Sequence, residues 1–295
     1  MSDTWYELRS GRKIGVSGFG DPKSTRLVLL CLPPAASGAF NPDPVVTDRY
    51  DVHVIVVDRP GYGGSEPLGD DDTPSVERAA DDIAEYLSGV HLVSAASQPS
   101  AVGAVGVVGW GGGGATALAL ASANPLLVDR LVLVGAPKPS RSRRGEPAPS
   151  SAEFARPRFI SSVSVAAASL PIEDMSDLAL LGAREDDPAL AEFGVRNRVA
   201  RLVDRDSSSR SLGVAWDRLA ARDTRWTGGL NNVRADALLV YGDSDPITSA
   251  ADGNWYRRNV PRARLEVAHS FGRLAIVSAW ERVLQYLGAL RSDLD

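Results

Sequence analysis

A run of glycines at 109–114, with the sequence GWGGGG, is the segment of this chain best placed to do chemistry. The apolar residues 102–108 before it predict a buried strand, and residues 115–121 after it predict a helix. The glycines therefore form a tight turn between strand and helix. The first N–H groups of a helix favour negative charge in front of them. The start of the predicted helix is thus a candidate position for binding an anion.

The same run also satisfies the dinucleotide-binding pattern G-x-G-x-x-G, but its context does not fit. In dinucleotide folds the pattern follows the first strand, with an acidic residue about 20 positions on, at the end of the next strand. Here several predicted strands precede the glycines, and Asp129 begins the next strand instead of ending it. We therefore expect no nucleotide cofactor, and we predict neither another cofactor nor a metal ion.

The chain has three histidines, and histidine is the usual general base near neutral pH. His53 lies within a predicted buried strand, and His91 lies in a Ser-rich segment, 88–100, that we predict to be irregular. Both are most simply structural. His269 follows a short predicted strand and has a position from which it could face a pocket. His269 is therefore the candidate base.

Buried strands alternate with helices along the chain, and this pattern must position the glycine turn. The predicted strands are 5–9, 13–17, 26–31, 51–57, 102–108, 131–135, 237–241 and 264–268; the predicted helices include 74–87, 251–259 and 274–290. Continuous apolar strands of this kind are typical of a mostly parallel sheet that is covered on both faces. The fold class is therefore α/β.

The strand pattern is interrupted once, between residues 135 and 237. Residues 137–151 are rich in Pro, Ser and Arg, as linkers are, and 152–230 look helical without any buried-strand run. We predict an α/β core formed by 1–137 and 231–295, and a helical cap formed by 138–230. The cap is expected over the C-terminal ends of the strands, where open α/β sheets bind ligands.

Composition narrows the class of partner. The 295 residues carry 32 Lys and Arg against 37 Asp and Glu, a net charge of -5, which disfavours a nucleic-acid surface. The single cysteine, Cys31, excludes an internal disulfide and favours a reducing compartment. We see no signal peptide and no apolar run of membrane-spanning length. We therefore expect a cytoplasmic protein with a small-molecule substrate and no membrane partner. A separate feature of the composition, an excess of Arg, Ala and Gly, indicates a GC-rich bacterial genome.

Several segments, taken in order, resemble the α/β-hydrolase family, and especially bacterial lid-bearing esterases, peptidases and lactonases. They are DRPGYGGS at 58–65, the glycine turn at Gly109, GDSDP at 242–246, FGRLAI at 271–276, and the tryptophans Trp216 and Trp226 where such lids commonly end. The resemblance covers nearly the whole chain. It implies the α/β-hydrolase fold, with the predicted cap inserted as a helical lid.

The family's chemistry uses a serine that attacks the acyl carbon, a histidine that takes its proton and a carboxylate that orients the histidine. The resemblance places Gly111 at the position of the serine and Arg273 at the position of the histidine. Glycine has no side chain with which to attack. Arginine stays protonated at any usable pH, so it is no general base.

Two backbone N–H groups normally bind the oxyanion in this family. The resemblance places Pro34 at the first donor position, and proline has no N–H. The second donor, the N–H of Gly112, is kept. The family's acid corresponds to Asp245, with Asp243 as a close alternative. Since acid and histidine touch in the family fold, we expect Arg273 to form an ion pair with Asp245.

Three of the four parts are replaced, so the leading interpretation is a non-hydrolytic enzyme on a hydrolase scaffold. Arg273, held by Asp245, would supply one fixed charge for a cyclisation, isomerisation or elimination, in a biosynthetic pathway. The catalytic candidates are Arg273, Asp245 and His269. The expected substrate-binding residues are Pro34, Trp110, Gly111, Gly112, Trp216, Trp226 and Phe271.

Two alternatives are consistent with the same residues. The first is a pseudo-hydrolase that binds a ligand or partner without turnover. The second is a hydrolase that uses water as the nucleophile and His269 as a displaced base, paired with Asp243 or Asp245.

Overall fold

In the computed structural model, which describes residues 2–24, 26–38, 40–68, 72–97, 105–139, 174–203 and 210–288, eight strands form a single sheet. They are β1 (Ser2–Glu7), β2 (Lys13–Gly20), β3 (Leu27–Cys31), β4 (His53–Val57), β5 (Val105–Trp110), β6 (Val128–Val134), β7 (Asp236–Gly242) and β8 (Ala263–Ala268). Their order is β1-β2-β4-β3-β5-β6-β7-β8. β2 pairs antiparallel with β1 and β4, and all the other pairs are parallel. The predicted mostly parallel sheet is confirmed.

Helices cover both faces of this sheet. They are α1 (Pro44–Arg49), α2 (Val76–Ser97), α3 (Gly113–Ala123), α4 (Asp177–Leu181), α5 (Val195–Leu202), α6 (Arg210–Ala220), α7 (Ala250–Asn259), α8 (Ala275–Ser278) and α9 (Trp280–Gly288), with 3₁₀ helices at Pro188–Ala191 and Arg225–Asn232. None of the described helices is long and apolar enough to cross a membrane.

The central strand β3 shows why two layers of helices are needed. Its side chains alternate between the faces, so that Val28 and Leu30 join one core cluster while Leu29 and Cys31 join the other. Helices α1 and α9 pack into the first cluster, and α2, α3 and α7 pack into the second. A strand that is apolar at every position therefore buries both of its faces.

Helix α2 corrects one prediction about local structure. It continues to Ser97, so the prediction of an irregular segment over 88–100 is wrong for 88–97; residues 98–100 lie outside the described part of the chain. The Ser88 hydroxyl donates to the carbonyl of Ala84 at 2.7 Å. Serine can satisfy its hydroxyl within a helix in this way, and 88–97 contain no proline to stop it. His91 consequently lies in a helix.

The predicted closing helix, 274–290, is divided in two. Helix α8 ends at Ser278 and α9 begins at Trp280. The indole of Trp280 is fully buried, and its Nε1 donates to the Thr47 hydroxyl of α1 at 2.9 Å. This contact joins α9 to α1, and both helices pack into the same core cluster.

Between β6 and β7 the described residues, 135–139, 174–203 and 210–235, contain helices and no strand. Leu178, Val195 and Leu202 from this part pack into the same cluster as Val108 and Val240 of the sheet. The division into a core of 1–137 and 231–295 and a cap of 138–230 stays a prediction. Most of the predicted linker, from residue 140 on, lies outside the described residues.

Candidate active site

The turn between β5 and α3 is a sharp elbow at the C-terminal edge of the sheet. Gly111 has a φ of +55°, in the left-handed region that favours glycine, and its N–H donates to the carbonyl of Val134 at 2.9 Å. The next residue, Gly112, caps α3, so its N–H lies at the helix N-terminus. The backbone of the elbow is thus in place, without a side chain at Gly111.

The side chain of Arg273 occupies the space in front of the elbow. A Cβ added to Gly111 would lie only 2.5 Å from Nη2 of Arg273. The guanidinium donates to the carbonyls of Leu181, at 3.1 Å from Nε, and Gly135, at 3.0 Å from Nη1. Its side chain is 6% exposed. Glycine at 111 and arginine at 273 are therefore sterically coupled.

Asp245 lies against the same guanidinium. Its Oδ2 is 3.5 Å from Nη1 of Arg273, through one oxygen only, and its side chain is 1% exposed. The carboxylate also accepts hydrogen bonds from the Ile247 N–H at 2.8 Å and the Thr248 hydroxyl at 2.6 Å. Burial lowers the pKa of Arg273, and the charge of Asp245 opposes that shift. The structure thus brings together two of the three predicted catalytic residues.

His269 lies apart from this pair, on the surface. Its Nδ1 is 2.9 Å from Oδ2 of Asp243, and its side chain is 91% exposed. The hydrogen bonds from His269 and from the Ser270 N–H lower the pKa of Asp243. His269 does not line the cavity described below. The geometry therefore gives no support to a role for His269 in a pocket.

Pro34 stands directly beside the elbow. Its Cδ would lie 2.7 Å from a Cβ added to Gly112. The ring therefore occupies the position beside Gly112 that the resemblance implies for the first oxyanion donor. Since proline has no N–H, Gly112 is the backbone donor that remains there.

A cavity of about 210 Å³ opens beside Pro34 and Gly112. It lies between the N-terminal ends of α2 and α3, the segment after β6, and the end of α6. Its lining residues are Pro34, Arg59, Ser75, Val76, Ala79, Gly112, Ala115, Thr116, Pro137, Lys138, Pro139, Asp217, Ala220, Ala221 and Trp226. Three of the predicted substrate-binding residues, Pro34, Gly112 and Trp226, are among them.

The other predicted substrate-binding residues are not among the lining residues of this cavity. Trp110 is fully buried, stacks on Phe40 with 5.5 Å between ring centroids, and donates from Nε1 to the carbonyl of Arg273 at 3.1 Å. Trp216 is buried on α6, and Phe271 is partly buried against the core. Gly111 is covered by Arg273. These residues support the elbow and the core instead of facing the cavity.

A buried ion pair that the sequence did not reveal forms one wall of the cavity. The Arg59 guanidinium contacts the Asp217 carboxylate at 2.9 Å from Nη2 and 3.3 Å from Nε. Its Nη1 and Nη2 also donate to the carbonyls of Leu32, at 2.5 Å, and Pro33, at 3.0 Å. The Tyr62 hydroxyl donates to Asp217 at 2.7 Å. We call Arg59, Tyr62 and Asp217 the clamp, because they join α6 to the loop that carries Pro34.

The pKa values of Arg59 and Tyr62 are shifted by the burial of the clamp and by the charges within it. Burial lowers the pKa of Arg59, but the charge of Asp217 and the contact with Tyr62 outweigh it, so the net shift is upward. Burial and Asp217 raise the pKa of Tyr62 well above its ordinary value. Arginine therefore stays charged and tyrosine stays protonated. In the sequence, these residues could be noticed only because they lie in or next to segments already named: Arg59 and Tyr62 lie in the segment 58–65, and Asp217 follows Trp216.

Comparison with known proteins gives the class of this chain. The sequence model of the family described as "alpha/beta hydrolase fold" matches residues 39–278. The chain belongs to the α/β-hydrolase fold family, which is a family of enzymes.

Individual relatives agree with this class. A pimeloyl-[acyl-carrier protein] methyl ester esterase of Nitrosomonas europaea is 26% identical over 245 residues, covering 83% of this chain and 86% of its own. Among solved structures, the enol-lactonase of Burkholderia xenovorans LB400 has a TM-score of 0.72 at 15% identity, covering 97% of this chain and all of its own. A hydrolase of Pseudomonas aeruginosa PA01 has a TM-score of 0.71 at 20% identity, with coverages of 98% and 99%.

The esterase of Nitrosomonas europaea overturns the leading interpretation of the sequence. Because this relative is a hydrolase, the prediction of a non-hydrolytic cyclase, isomerase or lyase is wrong, and so is that of a pseudo-hydrolase. The prediction failed because it took Gly111 and Arg273 as evidence against hydrolysis of any kind. The lack of a side chain at Gly111 and of a base at Arg273 speaks against a serine nucleophile at the elbow, but it does not exclude hydrolysis, because water can attack an ester directly.

Proposed function

We propose that this chain hydrolyses a small carboxylic ester in the cavity beside Gly112, with water as the nucleophile. The esterase and lactonase among its relatives support the reaction class. The absence of a side chain at Gly111 supports water as the nucleophile. The position of the cavity, at the C-terminal edge of the parallel strands, is where α/β sheets bind ligands.

One observation carries the assignment of residues. Among the described residues that line the cavity, Asp217 is the single carboxylate. Its Oδ2 is occupied by Arg59 and Tyr62, whereas Oδ1 accepts, from the described part of the chain, only the long 3.3 Å bond from Nε of Arg59. Oδ1 therefore retains a lone pair for a water molecule in the cavity.

The proposed reaction proceeds in two steps. Asp217 takes a proton from the water as the water oxygen bonds to the acyl carbon, and the carbonyl oxygen becomes an oxyanion. The N–H of Gly112, at the N-terminus of α3, donates to that oxyanion. The carbon–oxygen bond to the leaving group then breaks, and the proton on Asp217 passes to the departing alkoxide. The products are the free acid and the alcohol.

The test is ester hydrolysis by the wild-type protein and by matched variants. We expect hydrolysis of p-nitrophenyl acetate or butyrate that resists a fluorophosphonate, because no serine nucleophile takes part. Asp217→Asn should lower kcat at least about 100-fold, the usual contribution of a general base. Asp223→Asn is the control, since Asp223 forms an ion pair with Arg225 in the same region but does not line the cavity.

Three outcomes would overturn the proposal. The first is hydrolysis that a fluorophosphonate abolishes, which would reveal a serine nucleophile. The second is a wild-type protein without esterase activity, and the third is equal activity in Asp217→Asn and Asp223→Asn. Unfolding curves of each variant separate loss of the base from loss of the fold.

We also propose that the protein is located in the cytoplasm and that its sole partner is a small molecule. Both rest on the composition, with a single buried cysteine and a net charge of -5. Fractionation of the native host and detection with an antibody test the location.

A further inference from the structure

The wall of the cavity carries a positive charge, whereas the whole chain carries a negative net charge. Of the residues that the structure describes, three charged ones line the cavity: Arg59, Lys138 and Asp217. Arg59 and Asp217 neutralise each other in the clamp. Lys138 forms no ion pair with any residue that the structure describes. One positive charge therefore remains at the wall of a cavity in a chain whose net charge is -5.

The position of Lys138 is defined by its backbone. The residue lies four positions after the end of β6, and its N–H donates to Oδ1 of Asp252 at 3.2 Å. Asp252 also closes the capping box of α7 with Ser249. The main chain at Lys138 is thus attached to a helix N-terminus, and the residue is exposed to solvent while it also lines the cavity.

The rest of the wall is mostly apolar. Its apolar residues include Pro34, Val76, Ala79, Ala115, Ala220 and Trp226. Apolar lining with a few placed polar groups is the usual composition of a small-molecule site. Its volume, about 210 Å³, is below the roughly 300–1,000 Å³ of typical ligand cavities, so the occupant is small.

We propose that the cavity selects an ester that carries one carboxylate, with its apolar part against the wall and the carboxylate against Lys138. The proposal rests on the proposed ester hydrolysis and names its substrate class. An uncharged ester of the same size would fill the apolar wall equally but leave the ammonium of Lys138 without its partner. The discrimination is therefore electrostatic, and it weakens as salt screens the pair.

Equilibrium binding tests this without any turnover. Isothermal titration at low ionic strength compares hexanoate with hexanamide, which has nearly the same shape and no charge. We expect hexanoate to bind the wild type about threefold or more tightly, as for a partly exposed ion pair. Lys138→Gln should abolish the difference and Lys138→Arg should keep it.

Lys23→Gln is the matched control, because Lys23 is exposed and does not line the cavity. Its preference for hexanoate should equal that of the wild type. Equal binding of the two probes to the wild type, binding of neither, or a preference that survives in Lys138→Gln would each overturn the proposal. A preference that depends on Lys138 in a protein without esterase activity would instead support this site and overturn the proposed function.

Discussion

At the scale of single residues, Gly111 and Arg273 are best understood as a pair. Gly111 needs a positive φ, and its missing Cβ leaves the space that Nη2 of Arg273 occupies. The guanidinium is held in that space by the carbonyls of Leu181 and Gly135 and by Asp245. A change at either position therefore has consequences for the other.

The substitution Gly111→Ser tests the steric part of this coupling. We expect a loss of about 1–3 kcal/mol in the free energy of unfolding, because a side chain at positive φ is strained and Arg273 must move. Urea unfolding measures it. Gly228→Ser is the control, since an added Cβ there has no neighbour within 4 Å and no positive φ. Equal stability of the two variants would contradict the coupling.

The double substitution Gly111→Ser with Arg273→His tests the chemical part. A histidine at 273 removes the obstructing guanidinium and can bridge the new serine and Asp245. We expect a fluorophosphonate to label the double variant, whereas Gly111→Ser alone stays unlabelled because arginine accepts no proton. Intact-mass measurement detects the adduct. Labelling of the single variant would show that another group serves as its base.

At the scale of elements, the clamp joins parts of the chain that are distant in sequence. Arg59 holds the carbonyls of the loop that carries Pro34, and Asp217 comes from α6, 158 residues further along. The Tyr62 hydroxyl accepts from the N–H of Ala35 at 3.3 Å while it donates to Asp217. The position of α6 and the conformation of the loop therefore depend on one ion pair.

Removal of Asp217 should consequently cost stability as well as activity. In Asp217→Ala the guanidinium of Arg59, 9% exposed, loses its counterion, and loss of one partner of a buried pair costs about 3–5 kcal/mol. Asp223→Ala should cost less than about 1 kcal/mol, because its partner Arg225 is 75% exposed. Urea unfolding compares the two. Equal losses would show that the clamp contributes no more than a surface pair.

At the scale of the whole molecule, the free energy of unfolding depends on pH because the layered fold buries the titratable thiol of Cys31. Burial raises the pKa of the Cys31 thiol to about 12 from its ordinary value of 9.0, and Arg59 opposes the shift. Below pH 9 the thiol is protonated in both states. Between pH 9 and about 12 the unfolded chain loses a proton that the folded chain keeps, so stability falls.

The variant Cys31→Ala isolates this effect. We expect its free energy of unfolding to fall less steeply above pH 9 than that of the wild type, by up to about 1.4 kcal/mol per pH unit. Urea unfolding from pH 7 to 10.5 measures the two slopes. Parallel curves over this range would mean that the thiol ionises with the same pKa in both states.

The sequence by itself determined the sheet, the glycine elbow and the family. Apolar runs such as 27–31 and 54–57 are typical of strands that are buried on both faces in a covered parallel sheet, so the local pattern already indicates the fold. The sequence also shows directly that residue 111 is a glycine and residue 273 an arginine, since residue identity requires no structure.

Only the tertiary structure decided where the charged groups lie. The contact of Arg59 with Asp217, the position of Lys138 at the cavity and the surface position of His269 depend on how distant segments pack. Short-range periodicity carries no information on contacts between residues more than 100 positions apart. The sequence therefore identified the glycine elbow, and the fold located the neighbouring cavity and the clamp.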